Sequence, residues 1–175
     1  DSNDTPERIA GILNLFMEDN QREKKTEKLV FVPVSLQLPT GTVSYNQTQL
    51  NNQIPFLRNY LRQALIDVDE QWHPTLNIGN LPNTYFTTIN GTIYILGVDS
   101  TIEDFIPLNE YLRSKLNDYK DRKAVFFINN IGGNINDIGL FRQLGGFATG
   151  IGSDVIMFQI AQNDETTLTH EILHS

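Results

Sequence analysis

The sequence predicts an α+β domain built on a largely contiguous sheet. Three observations carry that expectation. Strand-like and helix-like apolar periods alternate along the chain, which then finishes strand, strand, helix. Two β-rich runs flank the Asn90-Gly91 pair, the strongest short hairpin signal. The last segment opens on capping and acidic residues, as a helix does. With 175 residues, the chain is long enough for one domain with a real core.

The elements follow in order. Asp4-Thr5-Pro6-Glu7 reads as a helix start, and Ile9, Ile12, Leu13 and Phe16 mark one helical face. Residues 19–28 are almost wholly polar. Residues 1–28 are therefore expected to be a helical segment and linker, and 29–175 the domain proper. Residues 29–38 read as a strand whose second half alternates apolar and polar. Pro33 within it lacks an N–H and implies an edge or irregular position. A long helix is expected next, because Leu50, Ile54, Leu57, Leu61, Ala64, Val68 and Trp72 step by three or four. Asp67, Asp69 and Glu70 would be its exposed face.

Residues 84–89 and 92–98 are the strands around Asn90-Gly91. Residues 103–119 read as a helix with Leu108, Leu112, Leu116 and Tyr119 on one side. Residues 124–128 form a short buried strand, and 132–146 a connection rich in Gly and Asn. A short strand bounded by turns is expected at 146–150, and another strand at 154–160. The last helix starts near Asn163-Asp164-Glu165 and turns Leu168, Ile172 and Leu173 to the core.

Composition narrows the function classes. Net charge is −8, and no Lys/Arg run exceeds Lys24-Lys25, which argues against nucleic acid as a partner. No segment has the length and apolarity of a membrane span. The absence of cysteine excludes disulfides, thiolate metal sites and a cysteine nucleophile. The chain opens on Asp1, which suggests a mature form or an excerpt. Nothing in the sequence indicates an oligomeric state.

The chemistry concentrates in Thr169-His170-Glu171-Ile172-Leu173-His174-Ser175. Residues four apart on a helix share a face, so His170 and His174 can point imidazole nitrogens at one ion. Zinc accepts such nitrogens at ~2.0–2.1 Å and lowers the pKa of a bound water to roughly 7. Glu171 can reach that water as general base and then protonate the leaving amine.

This HExxH segment, preceded by Thr166-Thr167-Leu168, resembles the active-site helix of zincin metallopeptidases. The element order over residues 29–175 is similar to the N-terminal subdomain of the metzincin clan, with residues 103–119 as an insertion. The resemblance implies a mixed, mostly parallel, twisted sheet with an antiparallel edge strand. That sheet would pack on a long helix and on the zinc helix. It implies a secreted metalloendopeptidase with one catalytic Zn2+, His170 and His174 as ligands and Glu171 as general base. A polypeptide substrate would pair with the edge strand at Gly146, Phe147 and Ala148. A third ligand is expected beyond Ser175: a histidine in metzincins, a glutamate in gluzincins. The alternative is a catalytically inactive zincin-fold binding or structural module.

Two weaker candidates stand beside these. His73, in Trp72-His73-Pro74, is the remaining histidine and a candidate third ligand. Residues 132–137 could offer oxygens to Ca2+, but Asp137 is their lone carboxylate, and a solvated loop is the better reading.

Overall fold

The structure, a computed structural model, describes residues 25–45 and 53–175. The expected helix starting at Asp4 and the Leu50 end of the expected long helix lie outside them. In chain order the strands and α-helices are β1 (Lys25–Leu38), β2 (Gly41–Ser44), α1 (Gln53–Gln63), β3 (Ile66–Trp72), β4 (Leu76–Asn80), β5 (Phe86–Ile89), β6 (Thr92–Asp99), α2 (Leu108–Lys115), β7 (Lys123–Ile128), β8 (Gly132–Ile135), β9 (Phe141–Leu144), β10 (Gly146–Ala148), β11 (Val155–Phe158) and α3 (Glu165–His174).

β1 organises the main sheet, which has seven strands. Along one side it pairs in parallel first with β3 and then with β4. Along the other it pairs in parallel with β7 and then, past a tight turn, antiparallel with β2. β11 lies parallel to β7, and β10 closes that end antiparallel to β11. The fold is thus α+β with a mixed, mostly parallel main sheet. Pro33 sits beside the interruption between β3 and β4, where no ladder bond requires its missing N–H. This is the irregular position expected of it.

Both faces of the central strands are covered, so they read as continuous apolar runs. Leu29, Phe31, Val125, Phe127, Val155 and Met157 face α1 and α3, which supply Ile54, Leu57, Leu61, Leu168 and Ile172. Val30, Val32, Val34, Leu36, Phe126, Ile128, Ile156 and Phe158 face the opposite way, against α2 and a second sheet of order β5-β6-β8-β9. A fully buried Leu, Val or Phe contributes about 1.5–3 kcal/mol relative to exposure, so these two clusters dominate the fold. Past Pro33, among the described residues, only one face of β1 is well covered, and Ser35 and Gln37 point to the less buried side. That accounts for the alternation seen in the sequence.

Several expectations need correction. The long helix is not present: α1 ends at Gln63, and the chain reverses through Leu65 at φ 60° into β3. Val68 and Trp72 do share a face, but it is a strand face, because a spacing of four is also twice the strand period. Asp69 and Glu70 accordingly lie on β3, where they pair with Arg122 and Arg58. β1 begins at Lys25, inside the expected linker. The helix expected over 103–119 is only α2, with Pro107 at its N-cap and Leu116 leaving it in an extended conformation. Residues 132–144, expected as part of a connection, are instead a hairpin of the second sheet, and Gly146 already belongs to β10.

Other expectations stand. Asn90 at φ 51° and Gly91 at φ 80° make the two-residue turn between β5 and β6. The strands expected near 146–150 and 154–160 are β10 and β11. No helix among the described residues is long and apolar enough to cross a membrane.

Candidate active site

α3 is fixed at both ends. Asp164 is its N-cap: Oδ1 accepts from Thr166 N at 3.0 Å and Thr166 Oγ1 at 2.6 Å, and Oδ2 accepts from Thr167 Oγ1 at 2.6 Å. These bonds hold the Asp164 carboxyl down to about 2. At the other end Lys123 Nζ donates to Ser175 O at 2.7 Å and to Ser175 Oγ at 3.0 Å. A cation there suits the negative end of the helix dipole. Glu27 Oε1, 3.0 Å away, neutralises the same lysine.

The cap yields a prediction. Asp164→Ala removes an N-cap and should cost about 1 kcal/mol, read by urea unfolding near neutral pH. A depressed carboxyl pKa contributes stability that is present above its unfolded value and lost as pH falls. The gap between wild type and variant should therefore close as pH approaches about 2.

Between its ends α3 buries Leu168, Thr169 and Ile172. The opposite strip, His170, Leu173 and His174, is exposed. Leu173 was expected in the core and is 56% exposed instead, because it lies away from the Leu168/Ile172 ridge that joins the core under α1 and α3. The two imidazoles lie edge to face with centroids 4.3 Å apart. Both side chains are of a type that zinc accepts as ligand, and they stand next to each other on one exposed strip.

Glu171 lies on the flank between these strips and is half buried. Burial lifts its carboxyl above the ordinary glutamate range, while the charges of His170 and His174 pull it back part of the way. Its side chain runs along β10. A methyl group on Gly146 would lie 2.6 Å from Glu171 Cγ, closer than real carbon contacts come, and 3.2 Å from Cδ, a tight contact. Glu171 and the edge strand are therefore in contact across a glycine.

β10 pairs with β11 alone, so its outer side is open among the described residues. Gly145 gives its carbonyl to Phe158 N at 2.8 Å. By alternation, the N–H and C=O of Gly146 and Ala148 face the open side. The Phe147 side chain is turned inward, against the core cluster between the sheets and over Gly97. At this edge the backbone of 146–148 is what a ligand would meet, rather than the phenyl ring.

The remaining candidates lie apart. His73 sits in the break between β3 and β4; its N–H bonds Phe31 O at 2.9 Å and its ring packs edge-on against Tyr119. Among the described residues no three His, Cys, Asp or Glu side chains are placed to hold one metal ion together, so His73 does not join His170 and His174 as a third ligand. Residues 132–135 belong to β8, and Asn136 Oδ1 closes its own turn by accepting from Ile138 N and Leu140 N. A surface concavity of ≈ 450 Å³ opens elsewhere, between α1 and β3, lined by Arg58, Arg62, Asp69 and Glu70 among others. Two of its carboxylates are occupied by Arg58 and Arg122, and it carries none of the histidine chemistry.

Searches of protein-family models, curated proteins and solved structures return no match to this chain.

Proposed function

We propose that this chain carries the zinc-binding part of a metalloendopeptidase. The observation that carries the reading is the union of three features on one helix flank. His170 and His174 are adjacent and exposed, Glu171 is half buried beside them, and Glu171 touches an open, antiparallel edge strand. The mixed, mostly parallel sheet with β10 at its edge and α3 following β11 supports it too, since the resemblance to metzincins implies that arrangement.

In this reading the neutral imidazoles of His170 and His174 hold the ion. Zinc, when bound, supplies a Lewis acid for the scissile carbonyl and acidifies a water. Glu171 takes the proton of the attacking water and passes it to the departing amine. Its partial burial favours that work, because a carboxylate with raised pKa is a better proton acceptor near neutral pH. The outward N–H and C=O groups of Gly146 and Ala148 align an extended peptide by strand addition. Secretion belongs to the same proposal and rests on the resemblance alone.

Zinc titration of the full-length protein tests it. We expect about one tightly held zinc per chain and cleavage of an unstructured polypeptide. Affinity should fall by at least about a hundredfold in His170→Ala, the loss of a direct ligand exceeding the 10–100-fold typical of an outer-shell partner. A wild-type protein that binds no zinc defeats the reading. Zinc binding without cleavage favours the non-catalytic zincin-fold module.

A further inference from the structure

Thr167 and Glu171 are one helical turn apart and lie over consecutive glycines. A methyl group on Gly145 would meet Thr167 Cγ2 at 3.3 Å and Ala161 Cβ at 3.4 Å. One on Gly146 would meet Glu171 Cγ at 2.6 Å, Met157 Sδ at 3.1 Å and Glu171 Cδ at 3.2 Å. The Gly145-Gly146 pair thus forms a furrow that receives one ridge of α3. Neither glycine has a positive φ, so backbone conformation does not demand them. Close approach does.

The consequence differs along the furrow. At Gly145 the contacts are tight, and a shift of a few tenths of an ångström by the Thr167 methyl would relieve them. At Gly146 any side chain overlaps the stem of the proposed base. We propose that Gly146 is a positioning residue: its missing side chain is the slot that fixes the Glu171 carboxylate between the edge strand and the two histidines. This rests on the peptidase reading and gives Gly146 a role separate from substrate pairing. Its Cα face meets Glu171, while its N–H and C=O point along the sheet to the open edge.

Two measurements test it on the full-length protein. The first needs no activity. Thermal unfolding is compared for wild type, Gly146→Ala, Glu171→Ala and the double variant. Gly146→Ala should lower Tm by several degrees when Glu171 is present and have little effect when Glu171 is truncated, because contacting residues couple. Equal losses in both backgrounds would overturn the slot. If Gly146→Ala does not fold, the added Glu171→Ala should restore folding, and failure to do so overturns it equally.

The second measurement is steady-state cleavage of a peptide by the zinc-loaded protein. A small displacement of a reacting group can cost about a hundredfold. Gly146→Ala should therefore lower kcat by about that factor, with KM within about threefold of wild type and zinc content unchanged. A raised KM with unchanged kcat would make Gly146 a substrate contact only and refute the proposal. A wild-type protein that cleaves nothing overturns the peptidase reading, and the positioning role with it. The thermal cycle would then report packing alone, so the two failures are distinguishable.

Discussion

Glu171→Gln is expected to reduce peptide cleavage by about a thousandfold, the middle of the range for a general base, while leaving zinc stoichiometry unchanged. Glutamine has the shape of glutamate and still fits the slot over Gly146, so packing of α3 on β10 is retained. What it loses is the ability to take a proton. The same substitution has a signature in the metal-free protein. Burial raises the Glu171 pKa, so the folded state binds that proton more tightly than the unfolded state. Stability from such a group is complete below the unfolded pKa and is lost as pH rises through the folded pKa. Urea unfolding from about pH 4 to 8 should show wild type declining relative to the glutamine variant across that interval. Retained cleavage in Glu171→Gln would remove Glu171 from the mechanism. A variant that loses both zinc and Tm would assign it a structural role.

The candidate site can be read from the sequence because its signal is local. His170, Glu171 and His174 lie within five positions, and Asp164 caps the helix that carries them through bonds spanning two or three residues. The Asn90-Gly91 turn was legible for the same reason. Elements set by distant contacts were not. The stripe ending at Trp72 fits a helix and a strand equally from Val68 onward, and only pairing with residues 25–31 of β1 makes it a strand. β8 was hidden by its own glycines. A methyl group on Gly132 would lie 2.2 Å from the Phe158 ring, and one on Gly133 would lie 2.1 Å from Arg142 O. In sequence these glycines suggest a loop; in the fold Gly132 lets the two sheets touch and Gly133 lets β9 lie close beside β8. Gly146 hid its contact in the same way. Its place on an edge strand was foreseen, but the side chain it accommodates sits 25 positions later in the chain.

The largest stability effect away from the histidines should come from Asp154. This carboxylate sits at the start of β11, the strand that leads to α3. Its two oxygens meet Arg113 of α2 in a fork, Nε to Oδ2 at 2.7 Å and Nη2 to Oδ1 at 2.9 Å. Oδ1 also accepts from Ala124 N of β7 at 2.7 Å. One side chain therefore ties α2 to two central strands, and the groups involved are mostly sheltered from solvent. Arg113 reaches the Tyr119 and Arg122 carbonyls as well, locking the link between α2 and β7. Asp154→Ala leaves the fully buried Ala124 N–H without that acceptor and the arginine without its counter-charge. Breaking a buried pair costs about 3–5 kcal/mol. With Arg113 partly exposed, about 3 kcal/mol is expected, a fall in Tm on the order of 10 °C for a chain this size. A double-mutant cycle with Arg113→Ala should return a coupling of at least about 1 kcal/mol. Additive losses would show that Asp154 acts through the Ala124 amide alone. Because the Asp154 carboxylate bonds α2 and β7 rather than α3, folded Asp154→Ala protein should keep its zinc affinity, and this separates support of the sheet from assembly of the site.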